Sequence, residues 1–296
     1  MPTVPTGATV NDTLVPGRRV DLPGRGSTWV HDLPGPGDGA STLVLLHGWT
    51  ATAALNWFPV LLWLGRRYRV VALDLRGHGR GIRSRVFRLE DCADDVAALA
   101  DHLGIRSFIP VGYSMGGTVT QLLWHRHREM VEGMVLCATS RNFRGSPEER
   151  IAFSALPVIA GAAGLVPLAV RDRVARSLMT SRSDDAPWRQ WVMAEVRRSD
   201  PVAILQAGRA LGRFSSHKWI GGVDVPTAIV VTTEDSLVPV RRQLKLAESI
   251  PKATVHPVQG NHGVCVLNPE RFAPVLLEAC QSVTRRTKGM ANGRMG

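Results

Sequence analysis

The stretch Gly112-Tyr113-Ser114-Met115-Gly116-Gly117 lies between an apolar run and a helix-like stretch of the sequence. This order predicts a strand that turns sharply into a helix, with Ser114 at the corner. The backbone at such a corner is strained and holds the side chain out into solvent, where a hydroxyl is available as a nucleophile. Strand and helix crowd there, which favours small residues two positions before and after the serine. Gly112 and Gly116 supply them.

Continuous apolar runs alternate with helix-like stretches along the chain. The runs lack the apolar–polar alternation of a half-buried strand, so they predict strands buried on both faces. The alternation predicts an α/β fold with a mostly parallel central sheet flanked by helices. A β-hairpin of strands 19–22 and 27–32 is predicted before the first run. The predicted sheet strands are 42–46, 68–73, 108–111, 134–138, 227–232 and 254–258, and the predicted helices are 57–66, 89–103, 118–127, 240–249 and 269–283.

One interval breaks this alternation, because no strand pattern occurs between 141 and 221. We expect it to be a helical cap inserted into an α/β core made of 19–140 and 222–284. An insertion at this place covers the carboxyl ends of the strands, where open α/β sheets bind ligands. Residues 1–18 are then an N-terminal extension, and the basic segment 285–296 is predicted to be a disordered tail.

The cap contains an uncharged stretch, 153–170, that glycines and prolines interrupt, so we expect no membrane span there. Together with nearby tryptophans, this stretch predicts an apolar wall above the sheet. Such a wall favours an apolar small-molecule substrate of medium to large size. Alternatively, the tryptophans only attach the cap to the core. Neighbouring arginines suit an anionic substrate, peripheral contact with a membrane surface, or a solvated helix face. The tryptophans are Trp188, Trp191 and Trp219, and the arginines are Arg171, Arg173, Arg176 and Arg182.

Two residues that follow later strands are predicted to complete a nucleophilic site with Ser114. A serine hydroxyl needs a base, and the base needs an orienting acid. Asp235 follows the run 227–232, and His262 follows the next predicted strand. Both lie on the side of the sheet where Ser114 is presented. The sequence therefore predicts Ser114 as nucleophile, Asp235 as acid and His262 as base, with the adjacent Glu234 as the alternative acid.

Acyl chemistry also requires N–H donors for the oxyanion of the transition state. The backbone N–H of Met115 begins the helix after the corner and is one predicted donor. The second is expected in the loop after the first buried strand, His47-Gly48-Trp49, where glycine permits a close approach. We predict that the N–H of Trp49 is that donor and that His47 has a structural role.

Composition limits the other classes of function. The 296 residues are 44% hydrophobic and 21% charged, as in a soluble globular protein. The formal net charge is +11, but the arginines are spread along the chain and accompany no nucleic-acid-binding motif, so no nucleic-acid partner is expected. Four scattered cysteines and the absence of a secretory pattern in 1–30 predict reduced thiols in a cytoplasmic protein. No ligand spacing for a metal occurs, and no organic cofactor is implied.

With these residues assembled, the chain resembles the α/β-hydrolase superfamily from about 19 to 283, in particular its serine esterase, lipase and haloperoxidase-like branch. The resemblance implies the same triad and, for Asp74 and His78, a structural turn. The chain departs from the pattern of the family at Thr232, because relatives commonly have glycine three residues before the acid. The motifs are His47-Gly48-Trp49, Asp74-Leu75-Arg76-Gly77-His78-Gly79, Gly112-Tyr113-Ser114-Met115-Gly116-Gly117, Asp235 with Val238-Pro239, and Gly260-Asn261-His262.

The expected activity is hydrolysis of a carboxylic ester or thioester of an apolar small molecule through an acyl-enzyme. Serine rather than aspartate at the corner argues against epoxide opening and halide removal, which the family performs with aspartate. Carbon–carbon bond hydrolysis, lactone opening and perhydrolysis use the same triad and remain alternatives. Further alternatives are a ligand-binding protein that retains the fold without catalysis and a nucleic-acid-associated protein.

Overall fold

A computed structural model describes residues 15–37, 39–143 and 186–293 of the chain. Within these ranges the chain forms one eight-stranded sheet with helices packed on both faces. The strands are β1 Arg18–Leu22, β2 Gly26–Leu33, β3 Thr42–Leu46, β4 Arg69–Leu73, β5 Ile109–Tyr113, β6 Met134–Cys137, β7 Thr227–Thr232 and β8 Thr254–Val258. The helices are α1 Ala53–Gly65, α2 Leu89–His102, α3 Met115–Arg126, α4 Ala186–Arg197, α5 Pro201–Arg213, α6 Val240–Ser249, α7 Val264–Leu267 and α8 Pro269–Gly293.

The sheet has the strand order β1-β2-β4-β3-β5-β6-β7-β8. The first two strands form the expected hairpin, and β2 joins β4 in antiparallel pairing, whereas all later neighbours are parallel. The predicted mostly parallel α/β fold is confirmed. Because the parallel strands end at one edge, the loops that follow β3, β5, β7 and β8 lie together there.

The central strands bury both faces, as their unbroken apolar runs predict. Leu43 and Leu45 of β3 belong to one apolar cluster, which α1 and α8 complete. Val44 and Leu46 point to the opposite face and belong to a second cluster with α2 and α3. The four apolar side chains of the strand therefore contribute to a core on each face, and the sheet is a rigid base for the loops at its carboxyl edge.

Two helices begin at residues that apolar periodicity alone did not identify, whereas the helix predicted over 240–249 has its predicted bounds. Helix α1 starts four residues before its predicted beginning, because the hydroxyl of Thr52 accepts a hydrogen bond from the N–H of Leu55 and caps the helix. Helix α3 starts at Met115, directly after the corner serine, instead of at 118.

The prediction of a disordered tail is wrong for 285–293, because α8 continues to Gly293. The guanidinium of Arg286 donates to the carbonyl of Thr227 over 2.8 Å and to that of Lys252 over 3.0 Å. These bonds attach the end of the helix to the amino-terminal side of β7 and β8. Residues 294–296 lie outside the described part of the chain.

The two ends of the segment between β6 and β7 meet at one place. Asn142 and Ser215 form an antiparallel bridge, and the N–H of Ser216 donates to the carbonyl of Arg141 over 2.9 Å. The hydroxyl of Ser216 donates a hydrogen bond to Oε1 of the buried Gln121 in α3 over 2.6 Å. The described part of the segment contains α4 and α5, in agreement with the helical pattern. The boundaries 141–221 for a cap domain stay a prediction.

Two tryptophans of this segment pack against the core. Trp191 of α4 meets Phe58 of α1 edge to face, with ring centroids 5.4 Å apart, and Trp219 stacks on His125 of α3 at 4.3 Å. These contacts support the alternative in which the tryptophans attach the cap. The side chain of Trp188, the stretch 153–170 and the four arginines between 171 and 182 lie outside the described residues. None of the helices in the described ranges combines the length and apolar character needed to cross a membrane.

Candidate active site

The corner between β5 and α3 has the strained geometry that its sequence predicts. Ser114 has φ of +52°, in a region that non-glycine residues rarely adopt. A Cβ atom at Gly116 would lie 2.0 Å from the carbonyl oxygen of Leu46, and one at Gly112 would lie 2.3 Å from that of Gly116. Neither distance is sterically possible, so both glycines are required for the strand and the helix to approach each other.

The structure brings together the three residues predicted to form the triad. His262 Nε2 lies 3.0 Å from Ser114 Oγ, and His262 Nδ1 lies 2.7 Å from Asp235 Oδ2. Both separations are hydrogen-bonding distances, so the imidazole bridges the hydroxyl and the carboxylate. This arrangement can remove a proton from the serine as it attacks an electrophile. The catalytic roles of the three residues stay predictions.

Bonds between two loops place the acid beside the histidine. The N–H of Thr233 donates to the carbonyl of Val258, and the N–H of Glu234 donates to that of Gly260, both over 3.0 Å. They continue the pairing of β7 with β8 beyond the last strand residues. The loops that carry Asp235 and His262 are consequently held side by side.

The carboxylate of Asp235 is fully buried and accepts hydrogen bonds at both oxygens. Oδ1 accepts from the N–H groups of Leu237 and Val238, each over 2.9 Å, and Oδ2 accepts from the hydroxyl of Thr232 over 2.7 Å. Burial alone would raise the pKa of Asp235, but the hydrogen bond and charge of His262 and the other donors outweigh it. The pKa of Asp235 is therefore below its ordinary value, and the carboxylate is ionised at neutral pH.

The loop after β3 lies against the corner serine. A Cβ atom at Gly48 would be 3.6 Å from Ser114 Cβ. The N–H of Gly48 donates to Asn56 Oδ1 over 2.9 Å and is therefore occupied. Among the residues that the structure describes, the N–H groups of Trp49 and Met115 have no hydrogen-bond acceptor. Their assignment to an oxyanion site stays a prediction that this geometry permits.

Helices α4 and α5 contact this same loop. The indole Nε1 of Trp49 donates to the carbonyl of Ile204 over 2.8 Å, and the hydroxyl of Thr52 donates to the buried Glu195 over 2.8 Å. The described part of the predicted cap therefore reaches the carboxyl edge of the sheet beside β3. This contact joins the side chain of the predicted oxyanion donor to α5.

The alternative acid Glu234 and two further histidines of the chain have partners away from Ser114. Glu234 is exposed and accepts from Gln259 over 3.1 Å, so it does not replace Asp235 beside the histidine. His47 is completely buried, and its Nε2 accepts a hydrogen bond from the N–H of Leu75 over 2.9 Å, in agreement with a structural role. His256 lies in β8 and faces Glu278 at 3.6 Å.

Sequence reasoning missed two polar residues that shape the site. The hydroxyl of Tyr113 donates to the backbone carbonyl of His262 over 2.7 Å, and Asn56 holds the N–H of Gly48. Their positions in the sequence could have identified them. Tyr113 directly precedes the corner serine, and Asn56 is a polar residue within an otherwise apolar helix. In the described ranges, no three side chains of the His, Cys, Asp or Glu types form a group that could hold a metal ion.

Comparisons with known proteins point to one fold. The family model of the alpha/beta hydrolase fold matches residues 41–158. A non-heme haloperoxidase of Rhodococcus erythropolis is 27% identical over 265 residues, which cover 80% of this chain and 90% of the relative. A pimeloyl-acyl-carrier-protein methyl ester esterase of Sodalis glossinidius is 28% identical over 260 residues, covering 83% and 95%.

Solved structures agree with this result. The enol-lactonase of Burkholderia xenovorans superimposes with a TM-score of 0.74 at 21% sequence identity, covering 89% of this chain and all of that one. At this identity the likeness shows the fold and no more. The strand order, the serine corner and the matches in sequence together show that this chain has the α/β-hydrolase fold and is similar in sequence to members of that superfamily over most of its length.

Proposed function

We propose that this protein is a serine hydrolase that cleaves a carboxylic ester or thioester through an acyl-enzyme. The observation that carries the proposal is the position of His262, 3.0 Å from the hydroxyl of Ser114 and 2.7 Å from the carboxylate of Asp235. A buried, ionised acid orients the imidazole, and the imidazole can then accept the proton of the serine. The names of the relatives, an esterase among them, agree with hydrolase chemistry.

The first half of the reaction transfers the acyl group. His262 Nε2 takes the proton of Ser114 Oγ while Oγ bonds to the carbonyl carbon, and the carbonyl oxygen becomes an oxyanion. The N–H groups of Trp49 and Met115 donate to that oxyanion. Its collapse breaks the bond to the alcohol or thiol, and His262 returns the proton to this leaving group. Asp235 stabilises the positive charge on the imidazole between these two transfers.

The second half releases the acid. A water molecule gives a proton to His262 Nε2 and attacks the acyl carbon, forming a second oxyanion at the same donors. The bond to Ser114 Oγ then breaks, and Oγ takes the proton from the imidazole. The enzyme returns to its initial state, and the products are a carboxylic acid and an alcohol or thiol.

An apolar acyl or alcohol part is proposed from the uncharged sequence of the cap. Substrate preference is measured with p-nitrophenyl esters of increasing acyl length. Each methylene that becomes buried improves kcat/KM about fourfold, equivalent to about 0.8 kcal/mol, until the pocket is filled. A flat profile would contradict an apolar acyl pocket and leave small or polar esters as substrates.

Labelling with a fluorophosphonate probe tests the nucleophile directly. The unmodified protein is expected to bind one probe covalently, and Ser114→Ala is expected to abolish labelling and lower ester turnover by several orders of magnitude. Ser236→Ala is the matched control, because Ser236 is an exposed serine next to Asp235. Labelling of Ser114→Ala at the wild-type level would refute the proposal.

A further inference from the structure

Thr232 stands where relatives commonly have glycine, and the structure gives its hydroxyl a partner. It is the last residue of β7, three positions before Asp235, and its Oγ1 lies 2.7 Å from Asp235 Oδ2. Both side chains are completely buried. A glycine at this position would leave the carboxylate without this donor. The departure from the family pattern therefore adds a bond to the predicted acid.

The orientation of Gln243, a buried residue of α6, follows from two backbone groups. Its Oε1 lies 3.1 Å from the N–H of Thr232, which can only donate, and its Nε2 lies 2.8 Å from the carbonyl of Val238, which can only accept. Turning the amide around would lose both bonds. The positions of its oxygen and nitrogen are therefore determined by chemistry.

Gln243 in turn determines the direction of the Thr232 hydroxyl. A second N–H on Nε2 donates to Thr232 Oγ1 over 2.8 Å. The hydroxyl proton cannot point back along this bond, and the acceptor in front of it is Asp235 Oδ2. An ionised carboxylate has no proton of its own to donate. The hydrogen bonds thus run in one direction, from Gln243 to Thr232 to Asp235.

The other oxygen of the carboxylate is held separately. Asp235 Oδ1 accepts the N–H groups of Leu237 and Val238, whereas Oδ2 accepts from Thr232 and from His262, each over 2.7 Å. Donors on both oxygens oppose rotation about the Cβ–Cγ bond of the aspartate. Oδ2 therefore stays directed at His262 Nδ1.

We propose that Thr232 and Gln243 form a positioning pair that keeps Asp235 Oδ2 on His262 Nδ1, an inference that rests on the proposed function. The pair acts through Asp235 and not on the substrate. A displacement of about 1 Å in a catalytic group can lower a rate on the order of 100-fold. The loss of one of several restraints on Asp235 is expected to cost less, on the order of tenfold in kcat.

The test replaces the hydroxyl while keeping the shape of the side chain. Thr232→Val removes the hydroxyl that donates to Asp235 Oδ2. The amide of Gln243 keeps its bond to the carbonyl of Val238, so it is not left without a partner. We expect kcat for a p-nitrophenyl ester to fall on the order of tenfold with KM changed less than about twofold. Thr232→Ser keeps the hydroxyl and should restore kcat to within about twofold of wild type. Thr233→Val is the matched control, because its hydroxyl does not contact Asp235.

A proton spectrum separates this inference from the proposed function. The Nδ1 proton of His262 should give a far-downfield resonance in the wild-type protein, which Thr232→Val shifts and Thr232→Ser retains, whether or not esters are cleaved. Equal kcat in Thr232→Val and wild type, or equal losses in Thr232→Val and Thr232→Ser, would overturn the positioning role. An unchanged resonance in Thr232→Val would also overturn it. Absence of turnover in the wild type, with the expected resonance shift, would refute only the proposed function.

Discussion

His47 and His78 lie side by side in the core, with ring centroids 5.2 Å apart and no exposed surface on either residue. His47 begins the loop after β3, and His78 belongs to the turn after β4. Burial lowers the pKa of His47 from 6.5 to about 4. Burial, together with the neighbouring His47, lowers the pKa of His78 to about 3. Both rings are neutral in the folded protein at neutral pH.

The two histidines predict that stability falls as the pH drops from 6.5 towards 4. In this window the unfolded chain binds protons that the folded chain does not, so acid favours unfolding. Each histidine lowers the free energy of unfolding by about 1.4 kcal/mol per pH unit. Urea unfolding at several pH values measures this slope. His78→Gln should have a smaller slope than wild type, and equal slopes in the two proteins would contradict the assignment.

Asp235→Asn tests which residue orients the imidazole. The two backbone N–H groups at Oδ1 require an oxygen there, so the new amide nitrogen takes the place of Oδ2 and donates to His262 Nδ1. The proton then resides on Nε2, which can no longer accept from Ser114, and kcat should fall on the order of 10⁴-fold. Glu234→Gln is the control and should change kcat by much less. The reverse order of effects would identify Glu234 as the acid.

Asn56→Leu tests the loop that carries the predicted oxyanion donor. Without Asn56 Oδ1, the N–H of Gly48 loses its acceptor and the loop shifts relative to Ser114. A shift of the Trp49 N–H should lower kcat on the order of tenfold to 100-fold while KM changes little. Cys265→Ser serves as the control, because it changes the weak contacts of the sulfur with Asn56 Nδ2 at 3.8 Å and with Tyr113 but leaves Asn56 Oδ1 on the N–H of Gly48. Wild-type kcat in Asn56→Leu would show that this bond does not position the donor.

Arg286→Ala tests the attachment of the last helix. The substitution removes the donor of the buried Thr227 carbonyl and of the Lys252 carbonyl, which should lower the free energy of unfolding by about 1–3 kcal/mol. Arg285→Ala is the matched control, since its side chain is exposed on the same helix turn. Thermal or urea unfolding of both variants gives the comparison. Equal stability of the two would mean that Arg286 does not anchor α8.

The strand segments and the proximity of Asp235 and His262 to Ser114 could be predicted because they depend on local patterns, whereas the order of the strands across the sheet was not predicted. Unbroken apolar runs identify buried strands, and the carboxyl ends of parallel strands share an edge, which places Asp235 and His262 near Ser114. The glycines at 112 and 116 identify the corner, since the crowding of its backbones leaves no room for a Cβ.

Side-chain direction and long-range bonds could not be predicted in this way. Gln243 lies on the buried face of α6 with Leu246, but only the folded chain shows that this face meets the acid loop. The sequence identifies Thr232 only as a departure from the family pattern, and only the structure shows that its hydroxyl donates to the carboxylate of Asp235. The bonds of Arg286 cross from the last helix to two strands, and the basic composition of the tail gave no sign of them.

The bridge between Asn142 and Ser215 makes the chain leave the core and return to it at one place. A segment that leaves and returns at one point can change its length or sequence without altering the separation of β6 and β7. The residues between them can therefore vary without moving the strands that carry the predicted triad, provided that the contacts of Trp49 with Ile204 and of Thr52 with Glu195 are kept. If the proposed function holds, we expect that exchanging this segment for that of a relative changes the substrate preference while the geometry of Ser114, Asp235 and His262 is kept.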